Sequence, residues 1–91
     1  MSYHIQFGSI FNELDRHISN CSLSDQALII KFDSRNSNTL LRTLDLFRYK
    51  CLTSPATIVI DNSHVQATLQ SVLIDYSNGD TVVTATFLTG A

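Results

Sequence analysis

The sequence predicts an α+β fold in which two helices pack on a mostly antiparallel β-sheet that ends in a β-meander. Three observations predict it. Two apolar helical stripes lie in the first half, β-branched alternation dominates from His64 onward, and Asn78-Gly79 separates two strand-like runs. A small curled β-barrel carrying helices is the alternative, because Thr/Val-rich strands interrupted by a bulge can bend rather than lie open. With 91 residues and no repeat, linker or low-complexity tract, residues 1–91 are read as a single domain with one core.

Tyr3, Ile5 and Phe7 alternate with His4 and Gln6, the period of a strand with one buried face, and Gly8 ends it. Ser9 is placed to cap a first helix over Ile10 to Ser19, with Ile10, Phe11, Leu14 and Ile18 on its apolar face and Glu13 near its positive end. A polar connection from Cys21 to Gln26 leads to a buried strand, Ala27 to Phe32. The turn formers Asp33 to Asn38 precede a second helix, whose Leu40, Leu41, Leu44 and Phe47 form the apolar stripe. Arg42, Asp45 and Arg48 line its other side, and Arg48 and Lys50 fall in the last turn, where cations suit the helix dipole.

Pro55 biases Ser54 toward extended backbone, and Thr57 to Ile60 is a β-branched strand closed by the Asp61-Asn62-Ser63 turn. Val65, Ala67 and Leu69 share one parity while Val72, Ile74 and Tyr76 share the other. A β-bulge at Gln70-Ser71 accounts for the slip. Asn78-Gly79 then turns the chain into a final strand, Thr81 to Thr89.

The hydrophobic fraction of 44% with 15% charged residues is that of a folding, globular chain. Glu13 is the only glutamate, and Lys31 and Lys50 are the only lysines, so hydroxyls and amides solvate most of the surface. Interface cores are depleted in the same charged residues, which leans toward an interaction protein. A net charge of −2 gives no broad positive field, and binding to nucleic acid is not expected. Met1 to Ile5 has no secretory pattern and no segment has the length of an apolar membrane span, so a cytoplasmic, non-membrane protein is expected.

No catalytic, cofactor-binding or metal site emerges. His4, His17 and His64 lack the close spacing of a metal motif, and the aspartates at 33, 61, 75 and 80 read as turn and strand-end residues. Cys21 and Cys51 are read as free thiols packed as small hydrophobes, with no oxyanion-binding glycine loop to make either a nucleophile. No phosphate-binding glycine motif is present. Arg42, Arg48 and Lys50 form a candidate basic patch, for which the polar outer face of a helix is the competing reading.

The final strand carries apolar residues on both faces, one to be covered by the helices and the other by a partner. Thr81, Val83, Thr84, Thr86 and Leu88 are therefore the candidate interface, with pairing of this strand to a neighbouring subunit as its mode. The stretch from Ala56 to Gly90, with its strand, bulge and Asn-Gly hairpin, resembles the short β-domains of tail, connector and baseplate proteins in tailed-bacteriophage particles. That resemblance implies a non-enzymatic structural protein working in a symmetric homo-oligomer with other assembly components, made in the host cytoplasm and carried in the virion. The alternative is a small regulatory or inhibitor protein that binds one partner protein.

Overall fold

The computed structural model describes residues 3–34, 37–76 and 81–89. In chain order these form β1 (Ile5–Gln6), a 3₁₀ turn (Ser9–Phe11), α1 (Asn12–Asp15), β2 (Ile18–Leu23) and β3 (Ala27–Ser34). They continue with α2 (Ser37–Lys50), β4 (Ala56–Ile60), β5 (Ser63–Asp75) and β6 (Thr81–Leu88). All strand pairs are antiparallel, in the order β1-β4-β5-β6-β3-β2, and the sheet curls into a half-barrel packed with the two helices. The α+β class is as expected, and the curl lies between the open sheet and the closed barrel that the sequence allows.

The curl has a local cause. β5 pairs with β4 through Ser63 to Ala67 and with β6 through Thr68 to Asp75, so one long strand serves two partners displaced along its length. Just inside the β6-paired part the register shifts between Leu69 and Ser71, and Gln70 is the extra residue. A bulge there increases twist and moves the inward parity from Ala67 and Leu69 to Val72 and Ile74, as the sequence slip implies. The β4–β5 hairpin closes with Asp61 and Asn62 at φ 48 and 72, between paired Ile60 and Ser63. Two consecutive left-handed residues are the geometry of a type I′ turn, whose twist matches that of the strands. The Asn78-Gly79 turn lies outside the described residues.

The buried side chains form one cluster between the inner face of the sheet and α2. Phe32, Val83, Ala85 and Phe87 point inward from the central strands, and Leu40, Leu44 and Phe47 meet them from the helix. All five phenylalanines take part. Phe7 lies 5.9 Å from Phe47 and 5.4 Å from Phe87, and Phe11 lies 5.0 Å from Phe47, with edge or tilted geometry throughout. Edge-to-face pairing at these separations adds to the gain from burial and fixes β1 against α2.

The first helix is much shorter than the sequence predicts. Only Asn12–Asp15 is α-helical; the 3₁₀ turn precedes it, Gly8 rather than Ser9 stands at the start with φ 93, and Ile18 opens β2. Phe11 and Leu14 are buried as expected, whereas Ile10 is exposed. The first half of the connection read at Cys21 to Gln26 is strand, and β2 runs to Leu23 before a turn in which the Ser24 N–H donates to Ala27 O at 2.9 Å. An edge strand solvated on one face needs no apolar alternation, so its Ser/Asn-rich sequence reads as loop. The N-terminal strand pairs only through Ile5 and Gln6.

Candidate interaction surfaces

β6 lies in the middle of the sheet. Its full length pairs with β3 and its Val82 to Leu88 portion pairs with β5, so neither edge is open to a neighbouring subunit and strand addition through β6 is closed off. Val83 is fully buried in the core, against the expectation that it lines an interface. Thr81 is half-buried. Thr84, Thr86 and Leu88 belong to the outer face, where Thr84 stands between Leu73 and Lys31, Thr86 between Ser71 and Ile29, and Leu88 between Thr68 and Ala27. These side chains remain available to a partner that lies against the sheet rather than extending it.

The edge that is open belongs to the other strand of the same hairpin. On the side of β5 away from β6, residues 71–74 pair with no strand among the described residues, because β4 stops opposite Ala67. Leu73 on the outer face is 69% exposed, Ile74 on the inner face 40%, and Tyr76 just beyond 67%. Apolar side chains thus flank this edge on both faces, and residues 71–74 contain no lysine, proline or other device that blunts an edge. β2 is a second outer strand, with exposed Ser19, Asn20 and Ser22 and a bulge between Ile18 and Asn20. The opposite end is protected: β1 is two residues long, His4 N–H donates to Asp61 Oδ1 at 2.8 Å, and Phe7 N–H donates to Asp15 Oδ1 at 2.9 Å.

A further apolar surface lies on α2. Leu46 and Tyr49 fall outside the buried Leu40, Leu44 and Phe47 stripe, and with Ile10, Lys50, Leu52 and Thr53 they line a groove of about 380 Å³. Arg42, Arg48 and Lys50 are exposed, and none forms a salt bridge among the described residues. Leu46 and Tyr49 are legible in the sequence as apolar positions off the core stripe. The exposure of Ile10 is not, because it follows from the shortening of the first helix.

The titratable groups are dispersed. Among the described residues no three His, Cys, Asp or Glu side chains are grouped to hold a metal ion. The Glu13 carboxylate lies 3.2 Å from His17 Nε2 and 3.6 Å from Arg16 Nη1, a local arrangement across one turn. Cys21 and Cys51 are free thiols, the first on β2 opposite Ile30 and the second donating to Ala67 O at 3.6 Å. Burial raises the Asp15 carboxyl above its usual value, opposed by the hydrogen bond from Phe7 N–H and by the charge of His4. No described helix is long and apolar enough to cross a membrane. Comparison with protein-family models, with curated proteins and with solved structures finds no match.

Proposed function

We propose that this chain is a non-enzymatic assembly protein that joins copies of itself by extending its sheet through the second half of β5. The observation that carries the reading is the open edge at residues 71–74 flanked by exposed Leu73, Ile74 and Tyr76. A second β5 laid antiparallel along this edge satisfies its outward N–H and C=O groups and covers Leu73 on one face and Ile74 on the other. Such a pairing is self-complementary and gives a closed twofold. The sparse Lys and Glu of the sequence and the resemblance of residues 56–90 to the β-domains of tailed-phage particles support the reading of this association as a step of virion assembly.

Size-exclusion chromatography with light scattering over a range of protein concentrations tests the reading. The protein is expected to associate, and Leu73→Lys, which sets a charge on the edge while leaving the core untouched, is expected to return it to monomer. A wild-type monomer at every concentration, or an oligomer that Leu73→Lys leaves unchanged, overturns it and favours the one-partner regulatory alternative.

A further inference from the structure

The groove on α2 is independent of the β5 edge and has its own chemistry. Ile10 is 58% exposed, Leu46 47%, Tyr49 72% and Leu52 76%, an apolar grouping of a kind that soluble proteins seldom leave bare without a use. The surface is concave, and Lys50 is the only charged residue lining it. Arg42 lies one turn before Leu46 on the same face of α2, at the i, i+4 spacing. The helix as a whole carries Arg42, Arg48 and Lys50 against the single carboxylate Asp45, in a chain whose net charge is −2. Asp45 lies one turn before Tyr49 at the same spacing and offsets Arg42, and Arg48 falls on the far side of the helix, so Lys50 leaves a net positive charge at an apolar depression that no carboxylate lines.

We propose that this groove binds an acidic peptide segment of another protein, with a leucine or phenylalanine side chain inserted among Ile10, Leu46, Tyr49 and Leu52. Flanking aspartates or glutamates of the segment then meet Lys50 and Arg42. Charge complementarity selects this occupant. A second copy of the chain would bring Lys50 and Arg42 toward their own counterparts across a groove that has no lining carboxylate, and like charges so placed repel. A nucleic acid strand could stack a base on Tyr49, but it requires successive cations along its backbone, and this groove is lined by a single cation, Lys50, beside the aliphatic Ile10, Leu46 and Leu52. A flat bilayer leaves a concave surface unfilled.

Fluorescence anisotropy with a labelled synthetic peptide tests the proposal. The probe is about twelve residues long and carries Leu and Phe anchors at helical spacing among Asp and Glu, the pattern read by helix-binding grooves. Binding is expected in the micromolar range, with at least about a tenfold loss on Leu46→Asp and on Lys50→Glu, both checked for retained helix by circular dichroism. A peptide with the same anchors and Lys in place of the acids is expected not to bind. Four results overturn the proposal: no saturable binding of the acidic peptide, equal binding of the lysine peptide, affinity unchanged in both variants, or tighter binding to phosphatidylserine vesicles or oligothymidylate than to the peptide. Self-association lost in Leu46→Asp would assign the groove to a second copy and also overturn it. The Leu73→Lys variant is expected to bind the peptide normally, which separates this groove from the β5 edge.

Discussion

The Asp15 Oδ1 atom accepts the backbone N–H of Phe7 at 2.9 Å, tying the end of β1 to the short helix that follows it. Burial raises this carboxyl, while the Phe7 N–H and His4 favour the ionised form. A raised value in the folded state means that the fold holds the proton more tightly than the unfolded chain. The contribution of the group is then most favourable below the ordinary carboxylate range and is lost as pH rises through the raised value. Asp15→Asn keeps an acceptor for Phe7 without a charge to desolvate, and is expected to be at least as stable as the parent at neutral pH. Asp15→Ala strands the N–H and is expected to cost about 1–2 kcal/mol. In urea melts the Asn variant's advantage should shrink toward acid pH, and an advantage that grows there contradicts the assignment.

Asn62 sits at φ 72 in the turn between β4 and β5, next to Asp61 at φ 48. Asn62→Gly should leave the melting temperature equal or higher, because glycine enters this region freely. Asn62→Val should lower stability by about 1–2 kcal/mol, the cost of a branched side chain in the left-handed region. Equal melting temperatures for the two variants would mean that the turn is not of this type.

Leu44 and Leu46 are two residues apart on α2, yet the first is 1% exposed and the second 47%. Leu44→Ala should cost about 2–5 kcal/mol through lost burial and a residual cavity. Leu46→Ala should stay within about 0.5 kcal/mol, as for an ordinary surface site. Equal urea midpoints for the two variants would put the helix in the wrong phase.

Thr84 stands on a strand with partners on both sides, so proline there removes a backbone donor from the middle of the sheet. Thr84→Pro should abolish cooperative folding in circular dichroism melts. A folded monomer would return β6 to an edge.

The parts of this fold that were legible in the sequence are those where one residue pattern has one structural meaning. The α2 stripe, the parity slip at Gln70 and the turn at Asp61-Asn62 each appear where the spacing puts them. Ile10, Phe11, Leu14 and Ile18 have helical spacing too, but Ile18 finds a cross-strand partner in Phe32, and strand pairing wins over a short helix. The insertion of β6 between β5 and β3 joins residues 47 to 61 positions apart, from Ser34↔Thr81 to Ala27↔Leu88, and no local pattern encodes it. For that reason the Thr-rich alternation of β6 reads as a candidate edge, although it marks a central strand with one solvated face, and the exposed Leu73 and Ile74 stand on its hairpin partner β5.

Hydrogen exchange of the amides in residues 71–74, measured at low and high protein concentration, tests the assembly account most directly. Sheet extension through β5 predicts slow exchange at alternate amides of this segment that appears only at high concentration and is absent in Leu73→Lys. Exchange of the segment that is rapid and independent of concentration, while the β6 amides stay protected, would show that no strand is added there.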